Sequence, residues 1–125
     1  INLKAGKGLE TLMHEAGHLW NSIVRKSSPE VWNTLVNRAK DNGLFAEYLE
    51  KVKKISAYDK IVQDYENGID TYKLEDEVIA RILEDYGAKK GFKTNSSFNK
   101  IKDIVKQYFT ELANILGFDP TTKTV

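Results

Sequence analysis

Cysteine is missing from all 125 residues. Disulfide staples and thiolate metal ligands are therefore excluded, and the redox compartment stays open. Proline occurs twice, at positions read below as helix boundaries. No apolar run approaches the roughly 20 residues that cross a bilayer, and no secretory signal is visible, so we expect no membrane partner. Neither sign of charge is in excess: Lys plus Arg is 19 and Asp plus Glu is 18. No basic patch is dense enough for a nucleic-acid binder, and the short run Lys51 to Lys54 reads as a solvated helix face. Histidine is scarce as well, with two in the chain.

What is present is an ordinary globular composition, 41% hydrophobic and 30% charged. The length suits one domain that buries about two-thirds of its unfolded surface. We expect that domain over 1–118, with 119–125 as a tail. The chain opens on Ile1 rather than Met, which suggests a piece of a longer polypeptide with neighbouring domains.

The patterning predicts a mainly α, compact multi-helix fold. Ile1 to Ala5 alternates apolar and polar and is a candidate short N-terminal strand, which would need a partner strand. From Leu9 to Val24 apolar residues recur at helical spacing. Ser28 caps a second helix with Pro29 at its first position, and Asn42-Gly43 stops it near Asp41. Leu44 to Ile55 reads as a third helix. Ser56 to Tyr65 either continues it or forms a separate one. Asp70 or Thr71 caps a further helix carrying Leu74, Val78, Ile79, Ile82, Leu83 and Tyr86, which ends at Gly91. Asn95-Ser96-Ser97 opens a last helix, closed by Gly117 and Pro120.

The two histidines fall in His14-Glu15-Ala16-Gly17-His18, an H-E-x-x-H pattern. Residues four apart stack on one helix face, so two imidazoles can converge on one ion. The glutamate borders that face and can reach a water held there. Zinc binds imidazole nitrogen well, and three protein ligands leave one place for water. Chance placement would produce the pattern roughly once in a thousand such chains. On the helical wheel the apolar stripe centres near Leu9, Ala16 and Ile23, with His14 and His18 opposite. That position argues against core histidines, and under the metal reading another segment must cover the face and bring a third ligand. The plainer alternative is an exposed polar face.

With neither a third histidine nor a cysteine, the third ligand must be a carboxylate. The densest cluster runs from Leu74 to Tyr86 and offers Glu75, Asp76, Glu77, Glu84 and Asp85. Periodicity leaves Glu75 and Glu77 both open. A plain reading also exists, in which Glu77 and Arg81 form a surface i,i+4 pair worth a few tenths of a kcal/mol.

Both halves together resemble the zincin metallopeptidases of the gluzincin type, most closely the domains found in large multidomain phage and mobile-element proteins. Thr11 to Trp20 is similar to their S/T-x-x-H-E-x-G-H-x-W. Glu77 to Tyr86 is similar to E-x-x-A-R-x-x-E-x-Y. The likeness is firmest over 1–24 and 74–116, whereas 28–70 matches by length and helicity only.

The resemblance implies Zn2+ held by His14, His18 and Glu77, with Glu15 as the catalytic general base that hydrolyses a peptide or protein substrate. Thermolysin-like enzymes carry an aspartate where this chain has Arg81. Glu84 is the implied substitute, accepting the ring N–H of His14 or His18, while Arg81 would pair with Glu84 or hold a substrate carbonyl. An oxyanion donor is expected from Tyr58, Tyr65 or Tyr72. If phage-encoded, the protein would be cytoplasmic or virion-associated. Two rivals stand beside the peptidase: a non-catalytic zinc-stapled module, which has no need of Glu15, and a metal-free helical interaction module. Gly17 suggests close approach of a neighbouring backbone. Trp20 and Trp32 would line a peptide groove or, more plainly, the core.

Overall fold

The computed structural model describes residues 8–88 and 95–117. The candidate strand Ile1 to Ala5, the helix stop at Gly91 and the tail 119–125 lie outside them. Among the described residues there are six α-helices and no strand: α1 Gly8–Ser27, α2 Pro29–Asp41, α3 Leu44–Lys53, α4 Asp59–Glu66, α5 Tyr72–Ala88 and α6 Asn95–Leu116. The fold is mainly α, as the patterning predicts. No described helix is long and apolar enough to cross a membrane.

Local chemistry sets the helix ends. Ser28 Oγ accepts from Val31 N at 3.3 Å, and Pro29, which has no N–H to satisfy, opens α2. Asn42 closes α2. Gly43 turns the chain in a left-handed conformation at φ 85° and leads into α3, a backbone that L side chains rarely adopt. Asn42 Oδ1 accepts from Leu44 N at 3.0 Å. Ser56–Tyr58 is a 3₁₀ turn that separates α3 from α4, so this segment does not continue the third helix. The α5 cap is Asp70, whose Oδ1 accepts from Tyr72 N at 3.1 Å and Lys73 N at 3.3 Å. Thr71 contributes its backbone carbonyl to Glu75 N.

Helix α5 lies at the centre. Leu74, Val78, Ile79, Ile82 and Leu83 are buried, and each such side chain contributes about 1.5–3 kcal/mol relative to exposure. They join Trp32, Leu35 and Val36 of α2, Phe45 and Tyr48 of α3, and Ile101, Ile104, Val105, Tyr108 and Leu112 of α6 in one core. Trp32 belongs to this core and stacks at a tilt on Tyr72, while Trp20 meets Phe109 edge to face.

Helix α1 departs from the wheel. Its inner side is centred on Gly17, Asn21 and Val24, all buried. Ala16 and Ile23 are only half-buried, and Leu12 and Leu19 are 47% and 62% exposed. The apolar stripe therefore does not mark the packed face, because that face is given over to glycine, asparagine and the two histidines. The argument that placed His14 and His18 away from the packed side fails with it.

Gly17 explains how α1 approaches α5. A Cβ built on it would lie 3.3 Å from Ala80 Cα and 3.4 Å from both Ala80 Cβ and Leu83 Cδ1. The two backbones thus meet where both residues are small. One added methyl is tight but gains helix propensity of about 1 kcal/mol, so Gly17→Ala should change stability little. Gly17→Leu must part the helices and should cost about 1–3 kcal/mol, read as an earlier urea midpoint at unchanged slope. An unchanged midpoint would contradict the close approach.

Candidate metal centre

The crossing at Gly17 and Ala80 organises the site. His14 lies one turn before Gly17 and meets Glu84, one turn after Ala80. His18 follows Gly17 and meets Asp76 and Glu77, one turn before Ala80. The two helices therefore run antiparallel, and each imidazole finds a carboxylate on α5.

The ring nitrogens divide their work. His14 Nδ1 lies 2.8 Å from Glu84 Oε1, and His18 Nδ1 lies 2.7 Å from Asp76 Oδ2. A carboxylate only accepts, so each Nδ1 carries the proton and donates it. In the neutral rings, both Nε2 lone pairs then point inward, and the two Nε2 atoms stand 3.1 Å apart. Glu77 completes the cluster, with Oε1 3.3 Å from His18 Nε2 and Oε2 3.7 Å from His14 Nε2. One ligand atom from each of the three residues lies within 4.8 Å of the others.

This donor set fits a zinc ion. Two facing lone pairs and a carboxylate repel one another unless a cation stands among them. A tetrahedral ion with Zn–N bonds of about 2.0–2.1 Å would hold two imidazole nitrogens roughly 3.3 Å apart, close to the 3.1 Å seen. In the metal-free protein a proton plays that part. The hydrogen bond to Asp76, then that to Glu77, pushes the His18 pKa up to about 10, so the site holds a proton where the ion would bind.

Glu77 is 4% exposed. The plain reading of Glu77 and Arg81 as a surface pair is therefore corrected: Arg81 Nε donates to Glu77 Oε2 at 2.7 Å, and the acceptor is buried. Burial works against ionising Glu77, but hydrogen bonding from His18 and the charge of Arg81 outweigh it and hold the carboxyl below its ordinary range. Arg81 pairs with Glu77 rather than with Glu84.

The other carboxylates of the cluster are engaged elsewhere. Glu75 Oε1 accepts from Trp32 Nε1 at 3.0 Å, which turns it toward α2. Asp85 Oδ2 accepts from Tyr48 OH at 2.6 Å. Glu15 is exposed. Of the three candidate tyrosines, Tyr58 has its ring 5.5 Å from the Arg81 guanidinium carbon. Tyr65 packs on Phe45, and Tyr72 lies between Trp32 and Arg25.

Sequence reasoning weighed Asp76 only as a third ligand and passed over Asn21, which donates to Asp76 Oδ1 at 2.7 Å and to Asp76 O at 3.0 Å. The available signal was spacing: Asn21 sits one turn past His18 on the same face.

Comparison with protein-family models, with curated proteins and with solved structures finds no match for this chain.

Proposed function

We propose that this chain is a zinc-dependent peptidase domain of zincin type, with His14, His18 and Glu77 as the metal ligands and Glu15 as the general base. The observation that carries the reading is the convergence of two imidazole Nε2 atoms, 3.1 Å apart, on a buried glutamate that lies 3.3 and 3.7 Å from them. When bound, zinc would polarise the scissile carbonyl and acidify water toward neutral pKa.

The remaining chemistry falls to the protein. Glu15 takes the proton of the water that attacks the carbonyl carbon and delivers it to the leaving amine nitrogen. Its exposure leaves it open to substrate. Glu84 and Asp76 hold the imidazole rings in orientation. Arg81 fixes the Glu77 carboxylate. Tyr58, set against Arg81, is the tyrosine we assign to donate a hydrogen bond to the developing oxyanion.

Metal content tests the foundation. Chelator-treated protein should take up one zinc per chain at neutral pH, and its affinity should fall as pH drops below about 10, where zinc must displace the proton held by His18. Equilibrium dialysis with metal analysis measures both. Failure to regain stoichiometric zinc would remove the reading.

A further inference from the structure

We propose that Tyr108, Asn21 and Asp76 form a positioning relay that fixes the ring of His18 and so ties the docking of α6 to the metal affinity of the α1–α5 crossing. The proposal rests on the metal-site reading above. Four groups from three helices make an unbroken chain. Tyr108 OH donates to Asn21 Oδ1 at 2.6 Å. Asn21 Nδ2 donates to Asp76 Oδ1 at 2.7 Å. Asp76 Oδ2 accepts from His18 Nδ1 at 2.7 Å.

The direction of the chain is fixed by chemistry at each link. Tyr108 and Asn21 are fully buried, and burial raises the phenol pKa, so Tyr108 keeps its proton. A donating phenol selects the amide oxygen of Asn21, which turns the amide nitrogen toward Asp76. Asp76 then has one oxygen saturated by Asn21 and offers the other to His18. That acceptor holds a proton on His18 Nδ1, so the neutral ring that would bind metal keeps its lone pair on the inward Nε2. Without the hydroxyl, Asn21 still donates to Asp76 Oδ1 and Asp76 O, but its buried Oδ1 loses its donor, so the amide is held from one end only and restrains Asp76 less firmly.

The test is Tyr108→Phe, which keeps the ring in the core, beside Tyr48→Phe. Tyr48 also donates from a buried site to an α5 carboxylate, Asp85, but not to one that holds a histidine. Removing one such hydrogen bond should lower both stabilities alike, so stability alone does not discriminate. Zinc affinity, from competition with a chromophoric chelator, should fall about 3- to 10-fold in Tyr108→Phe and stay unchanged in Tyr48→Phe. Asp76→Asn should lose about 10- to 100-fold. A second readout needs no metal: in the metal-free protein the His18 Nδ1–H proton, followed by NMR, should exchange with water faster in Tyr108→Phe than in wild type or Tyr48→Phe. Unchanged exchange in Tyr108→Phe overturns the relay, as does zinc affinity equal to that of Tyr48→Phe. If wild type binds no zinc, the peptidase reading fails, and the exchange measurement still decides the relay.

Discussion

Glu15→Gln should retain zinc and thermal stability near wild type while peptide hydrolysis falls by about 10²- to 10⁴-fold, the loss typical of a positioned general base. The amide keeps the size of the side chain and removes its basicity. Glu15 is exposed and lies outside the converging cluster of His14, His18 and Glu77, so neither packing nor metal binding should suffer. Casein and a peptide library are suitable substrates, since the zincin reading names a reaction and no sequence preference. If zinc-loaded wild type cleaves nothing that Glu15→Gln leaves intact, the metal is a staple between α1 and α5, and Glu15 is a surface carboxylate.

Glu77→Gln should cost more than 100-fold in zinc affinity, because loss of an outer-shell partner alone costs about 10- to 100-fold and Glu77 sits directly on the two Nε2 atoms. The amide oxygen can still accept from Arg81 Nε, so the fold should survive. Glu77→Ala removes that acceptor too. Breaking a buried pair costs about 3–5 kcal/mol, reduced here because the Arg81 side chain is 25% exposed and partly screened. Glu75→Gln is the matched control. It weakens the bond from Trp32 at a cost of about 1 kcal/mol and should leave zinc affinity unchanged. Retention of zinc by Glu77→Gln with loss in Glu75→Gln would reverse the ligand assignment. Isothermal titration of the three variants beside thermal unfolding separates metal from fold.

The two experiments probe different links. Glu15 asks what the site does, and Glu77 asks whether the crossing of α1 and α5 makes a site at all. Zinc binding with no hydrolysis would leave the stapled module. Hydrolysis requires both.

Much of the helical layout is local and was legible in the chain. Ser28-Pro29, Asn42-Gly43 and Asp70 set helix ends through bonds spanning two to four residues, and such bonds depend on near neighbours alone. The H-E-x-x-H spacing likewise puts two imidazoles one turn apart wherever the helix goes. Which face of α1 is packed is another matter. Gly17, Asn21 and the histidines are not apolar, so hydropathy pointed to Ala16 and Ile23. The close approach to Ala80 decided otherwise. The carboxylates divided in the same way. Glu75, Asp76, Glu77, Glu84 and Asp85 are alike in chemistry and share one helix. Only the antiparallel contact with α1, together with Trp32 and Tyr48 on neighbouring helices, gives Glu77 to both imidazoles, Asp76 and Glu84 to one each, Glu75 to Trp32 and Asp85 to Tyr48. Sequence spacing fixes what one helix presents. The partner across the contact, more than fifty residues away, is set by how the helices pack.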